Sequence, residues 1–288
     1  MSTAVATEPH RHATTPTGYR LTFGHLLRGE WIKFWSVRST TWTLSIFLVA
    51  TVGLVLLISL AFVNVPSPED GGPPAGTAGN PLDPLSIAVT LAQLALAVLG
   101  ALTITSEYTT GMIRSSLTAV PKRLPMLWAK AIILVISVFA VSLVAVALSV
   151  GLQALFFESK NFSVDMSDPE MIQPLVGTAV YLATIALFSY ALGALLRHSA
   201  AALATVLGLL LVAPILFSAI PWQPLQEAAP FLPGVAGQQL TQTNEQIEQA
   251  ASFSDTTVLT ALEGYGVLIL WVVLVLGAAA VLLKKRDA

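Results

Sequence analysis

Thr105 to Lys130 reads TSEYTTGMIRSSLTAVPKRLPMLWAK, a polar and basic insert between two long apolar runs. Arg114, Lys122, Arg123 and Lys130 lie in it, and Lys and Arg in a short connection between spans mark the cytoplasmic side of a membrane. Gly111 and Pro121 punctuate the stretch, and Tyr108, Met112, Ile113 and Leu117 give it an apolar side. A loop that only reversed the chain would need a few residues. This one is long enough for a short helix that another protein can grip.

The runs on either side set the fold class. The chain has 288 residues, of which 55% are hydrophobic and 10% charged, with a mean hydropathy of +0.77. Soluble domains carry about 25% charged residues. Crossing about 30 Å of hydrocarbon takes about 20 apolar residues in a helix. Trp42–Val63, Leu85–Thr105, Ala131–Phe157, Leu175–Leu196, Ser199–Ile220 and Thr256–Leu283 all qualify. The expected fold is therefore an all-α integral membrane protein with six transmembrane helices. Only Arg197 and His198 separate the fourth run from the fifth, which makes those two a tight hairpin. Pro214 in the fifth lacks a backbone donor and should kink it.

Orientation follows from the bases. Every Lys and Arg of the 14 except Lys160 falls on the same side of this topology: in the N-terminal arm, the second and fourth connections, or the tail. The acids lean the other way, with Glu69, Asp70, Asp165, Glu227, Glu245 and Glu248 in the opposite loops. The positive-inside rule then puts both termini in the cytoplasm and the chain in the cell membrane.

Residues 1–19 are rich in Thr, His and Pro and have the composition of a disordered cytoplasmic arm. The first apolar run starts too late for a cleaved signal sequence and reads as an anchor. Residues 20–288 form one six-helix membrane domain with three notable parts: an interfacial helix at 20–41, the connection at 106–125 and an outer segment at 221–255. In the first part, Phe23, Leu27, Trp31 and Phe34 recur at helical spacing, with Arg28, Glu30 and Lys33 between them. This is either a basic amphipathic helix lying in the membrane surface or a juxtamembrane segment with aromatic and basic anchors. In the outer segment, Pro221, Pro224, Pro230 and Pro233 forbid one continuous helix. Trp222, Phe231 and Leu232 suit a membrane interface, and Leu240, Ile247, Ala251 and Phe253 would form one side of a short helix. A half-inserted element and an ordinary extracellular loop both fit.

No nucleotide-binding loop of the G-x-x-x-x-G-K-[ST] type, no H-E-x-x-H and no G-x-S-x-G occurs. The chain has no cysteine. No catalytic residue and no metal site is expected, and the chain is not read as an enzyme. The span centres carry no ionisable group; Glu107, Lys130, Arg197 and Glu263 lie near span ends. Ion-coupled carriers keep such groups at mid-depth. The polar groups inside, among them Gln93, Thr90, Tyr181, Thr184 and Tyr190, read as glue between helices or as contacts to an amphipathic substrate. Energy for transport would have to come from outside the chain.

The six spans, the N-terminal interfacial helix and the segment SEYTTGMIRSSLTAVPKR resemble the permease subunits of type-2 ATP-binding-cassette (ABC) exporters. The resemblance covers nearly the whole chain from about Arg20. Its motif is an acid at the inner end of the second span, then a glycine, then a base: Glu107, Gly111 and Arg114. It implies a dimer of permease chains, homo- or heterodimeric, and a separate ATPase subunit that holds ATP and magnesium, with no cofactor on this chain. It makes the loop after the second span a coupling helix docked on that ATPase, through Glu107, Tyr108, Gly111, Met112, Ile113, Arg114 and Leu117. It makes Phe23, Leu27, Glu30, Trp31, Lys33 and Phe34 part of a connecting helix, and it allows short re-entrant helices in the last outer loop. Glu107 is expected to pair with a base such as Lys33 or Arg38, unless Glu107 and Arg114 are solvated loop charges. The implied partners are the ATPase, a second permease chain and membrane lipid, with no nucleic acid. An ATP-independent transporter, a membrane enzyme and a membrane scaffold or sensor are the competing readings.

Overall fold

All six apolar runs form long helices. The computed structural model describes residues 22–64, 80–111, 123–157, 164, 168–253 and 256–285, and no strand occurs among them. The short helix α1 (Phe23–Ser36) is followed by α2 (Arg38–Val63), α3 (Asp83–Thr109), α4 (Arg123–Phe157) and α5 (Pro169–Leu196). The fifth span is composite: α6 (Ser199–Leu207), a π-helical turn (Gly208–Val212) and α7 (Ala213–Ala219). The outer segment holds α8 (Gln223–Ala228), α9 (Pro233–Gln238) and α10 (Asn244–Phe253), and α11 (Ala261–Lys285) closes the chain. Six of these helical stretches are long and apolar enough to cross a membrane. The second reaches Thr109 rather than Thr105, so Glu107 and Tyr108 belong to its last turn.

α5 is the central post. Within its apolar stretch 78% of residues are buried, against 17–28% for α2, the composite span and α11. α5 packs against α3, α4 and α11. Its contact with α3 is close because Gly100 lacks a side chain: a Cβ there would stand 2.2 Å from the Ala186 carbonyl oxygen. Small residues at such crossings let helix backbones approach where hydrophobic driving force between spans is weak. The start of α5 is capped locally. Asp168 accepts from the Glu170 backbone N–H at 2.9 Å, with Pro169 at the first helical position, where a missing N–H costs nothing.

Pro214 acts through a wider turn rather than a simple kink. The Ala213 N–H bonds back five residues to the Gly208 carbonyl, and the π-helical turn absorbs the crowding that a proline ring imposes on the preceding turn. Between α5 and α6 the reversal takes only Arg197 and His198, with Arg197 in the left-handed region at φ 56°.

The middle of the outer segment, residues 232–243, packs among the spans. Two of the segment's prolines fall in first turns: Pro224 is the second residue of α8 and Pro233 the first of α9. α9 packs on α11, α5 and the π-helical turn. Trp271 Nε1 donates to the Phe231 carbonyl at 3.0 Å, and the Tyr181 hydroxyl donates both to Gln93 Oε1 and, at 3.2 Å, to the Gly234 carbonyl. Trp271 is ten residues along α11, roughly 15 Å from its first turn at 1.5 Å per residue. The bonds from Trp271 and Tyr181 hold the backbone at Phe231 and Gly234 against the bundle instead of in a loop clear of it. Leu232 is buried rather than interfacial. The expected apolar side of the following helix forms only in part, since Ile247 is buried but Phe253 is 92% exposed and Leu240 lies in the turn before α10.

Candidate functional site

The residues that flank the 112–122 connection meet in one charged cluster. Glu107 lies in the last turn of α3 and Lys130 in the second turn of α4, and α1 adds Glu30 and Lys33 from its inward side. Lys130 Nζ lies 3.0 Å from Glu107 Oε1 and 2.6 Å from Glu30 Oε2. Lys33 Nζ also pairs with Glu107 Oε1. Glu107 and Lys130 are buried. Removing several charges from water is tolerable only when each finds an opposite partner in good geometry, and two acids against two bases meet that condition. Glu107 Oε2 has no hydrogen-bond partner among the described residues.

The expected Glu107–Lys33 pair forms, and the apolar residues of α1 divide between two sides. The residues at 27, 30 and 34 share one helical face, and that face turns toward α4: Leu27 packs on the core and Phe34 is buried. Glu30 and Lys33 therefore point into the bundle instead of away from it. Phe23 and Trp31 are exposed at 43% and 42%, with Ile32 and Trp35 also outward. The sequence reading names neither Lys130 as a second base on Glu107 nor Glu30 as the other acid on Lys130. A signal was present, because Lys130 recurs with Met126, Leu127 and Leu134 on one helical face and those three are buried.

A second tie runs from the same turn of α3. The Arg197 guanidinium stands over the Tyr108 ring at 5.6 Å, and its Nη2 donates to the Leu282 carbonyl of α11 at 3.3 Å. A cation over an aromatic face is attracted by the ring quadrupole, which helps to hold Arg197 in its left-handed backbone conformation. Below these, the buried Tyr190 hydroxyl donates to the Leu127 carbonyl at 2.9 Å and joins α5 to α4. The last turn of α3 is thus connected to α1, α4, the α5–α6 corner and α11.

Two expectations about the docking element change. Gly111 is not inside a helix: at φ 71° it follows the end of α3, where glycine enters the left-handed region without strain. Tyr108 is in the span helix, so no separate helix begins at that residue. Met112, Ile113, Arg114 and Leu117 lie outside the described residues, as do residues 1–19 of the N-terminal arm. Tyr181 bonds to Gln93 across α5 and α3, Thr184 meets the Tyr265 hydroxyl of α11 at 3.5 Å, and Tyr190 bonds to α4, which is the glue role. Among the described residues, no group of three His, Asp or Glu could hold a metal ion.

A cavity of about 400 Å³ adjoins the cluster, between α1, α2, α3 and α4. Glu30, Lys33, Glu107 and Lys130 form one wall, and Phe34, Val98, Leu102 and Ile133 contribute to the other. The fold and this charged end together define an all-helical, multi-pass membrane protein. Comparison with protein-family models and with curated proteins gave no match.

Proposed function

We propose that this chain is the permease subunit of an ABC exporter, working with a second permease chain and driven by a separate ATPase that docks on the 106–125 connection. The observation that carries this reading is the clamp at the feet of that connection. Glu107 on one side of it and Lys130 on the other are bonded to each other and to α1, and Tyr108 is tied through Arg197 to the α5–α6 corner and α11. A push on the 112–122 segment would therefore move several spans together instead of bending one loop. Such a clamp has no evident use in a loop that only reverses the chain.

Both termini lie in the cytoplasm in this reading, as the distribution of bases implies, and α1 lies along the inner membrane surface with Phe23, Trp31 and Trp35 toward lipid. Segment 229–241 re-enters from the outer side. The apolar stripe of Trp42, Ile46, Val49, Leu57 and Leu60 along α2 is exposed and faces lipid or the second permease chain. ATP and magnesium stay on the ATPase. Reporter insertions at Gly76, Ser163 and Gln246 should all read outside, and a cytoplasmic signal at Gln246 would overturn the orientation. The functional test is purification of the tagged chain from its native membranes in mild detergent. We expect an ATPase to come with it and the pair to hydrolyse ATP. Recovery of the chain without any ATPase would favour an ATP-independent transporter or a scaffold instead.

A further inference from the structure

The corner between α1 and α2 borders the cavity and holds hydrogen-bond donors that the fold does not use. Val37 sits at that corner, ahead of α2, and offers no side-chain acceptor to the first turn. The first N–H groups of a helix have no partner inside it, and with the helix dipole they favour an anion. Thr40, in that first turn, lines the cavity and is 8% exposed. Its hydroxyl has no hydrogen-bond partner among the described residues and remains accessible from the cavity. A largely buried hydroxyl without a partner carries a desolvation cost, so a ligand atom belongs beside it. Lys33 lines the same cavity, is part-buried, and bonds among the described residues to Glu107 alone. An ammonium has three donors, so Lys33 has others to offer. The two acids of the wall are engaged by lysines, Glu107 by Lys33 and Lys130 and Glu30 by Lys130, which blunts their repulsion of an incoming anion.

α3 and α4 add the apolar Val98, Leu102 and Ile133 to the lining. The rim is open at Val37 and Leu102, which are exposed. The space of about 400 Å³ is in the usual range for a small-ligand site. An anion with an apolar tail satisfies both parts of this lining, and a membrane supplies one as phospholipid. We propose that the cavity binds one membrane phospholipid by its phosphodiester. The phosphate accepts from Lys33, from the Thr40 hydroxyl and from the first N–H groups of α2, and the start of one acyl chain lies along Val98, Leu102 and Ile133. The rest of the head group projects through the rim, so the site selects for the phosphate and not for what the phosphate carries. The inference requires only that the chain sits in a membrane and is independent of any ATPase.

The test uses the full chain reconstituted into vesicles of choline and glycerol phospholipids in equal parts with a minor share of diacylglycerol, all carrying oleoyl chains. The protein is re-extracted into mild detergent and its retained lipid is weighed by native mass spectrometry. Both phospholipids should be retained alike, each about tenfold over diacylglycerol in proportion to its share, the ratio that one hydrogen bond to a charged group supplies. Thr40→Val removes the hydroxyl at nearly constant shape and should lower phospholipid retention about tenfold. After delipidation its melting temperature should equal or exceed that of the unaltered chain, because the hydroxyl has no protein partner to lose. Leu102→Trp fills the apolar side and should lower retention as well; Thr40→Val keeps the test decisive should Leu102→Trp not fold. Free glycerol phosphate should not displace the lipid, and displacement would mean that the site takes a soluble phosphate instead. Diacylglycerol retained as well as the phospholipids, a tenfold preference between the two head groups, or retention unchanged by Thr40→Val would each overturn the assignment.

Discussion

Lys130→Ala is expected to lower the unfolding free energy by about 3–5 kcal/mol, the usual cost of removing one partner from a buried ion pair. Lys130 sits between two carboxylates, 2.6 Å from Glu30 and 3.0 Å from Glu107. Without it Glu30 loses its partner, and Glu107 keeps only Lys33. The loss comes less from the attraction forfeited than from the acids left buried without compensation. Lys284→Ala is the matched control. It removes a base from an exposed position near the end of α11, and surface changes of that kind usually stay within about 0.5 kcal/mol. Unfolding of both variants in detergent, followed by intrinsic fluorescence, compares them directly. Equal midpoints would mean that the cluster contributes nothing to holding α1 and α4 together.

The contrast between these two lysines also shows what the residues reveal and what they hide. Hydropathy places the six spans because twenty consecutive apolar residues have few other uses; five of the six begin or end within a few residues of the expected positions, and the third starts seven earlier, at Leu124. The Arg197–His198 reversal is legible for the same reason, as two polar residues between two spans. α1 is harder. Its periodicity announces a helix, but Glu30 looks like a member of a solvated face until Lys130 is placed beside it. Lys130 lies 100 positions from Glu30 along the chain, and no local pattern records such a meeting. Gly111 is ambiguous for a different reason. A glycine just after a helix can end it or continue it, and only its positive φ decides. The outer segment is ambiguous because its prolines rule out a long helix without saying whether short ones are buried. The hydrogen bonds from Trp271 and Tyr181 to its backbone decide that.

Under the proposed function, Ile113→Asp is expected to abolish association with the driving ATPase while leaving the bundle intact. An element that docks in a groove relies on a few apolar anchors on one side, and Met112, Ile113 and Leu117 are the candidates in the connection. A carboxylate at such an anchor would have to be buried without a partner. A central contact residue commonly costs about 3 kcal/mol when lost, which is on the order of 100-fold in affinity. Position 113 lies between Gly111 and the start of α4, and the ion pairs of the cluster and the Tyr108–Arg197 contact are made by other residues. Insertion and folding should therefore match those of the unaltered chain, and the effect should appear in association alone.

The measurement that bears most directly on the proposal is parallel purification of the tagged wild-type chain and Ile113→Asp from native membranes, with the ATPase quantified per permease chain. The proposal predicts that the wild type recovers the ATPase in near-equal amount and that Ile113→Asp recovers almost none, at the same yield and melting temperature. Undiminished recovery of the ATPase with Ile113→Asp would contradict it, because the connection between α3 and α4 would then not be where the driving subunit binds.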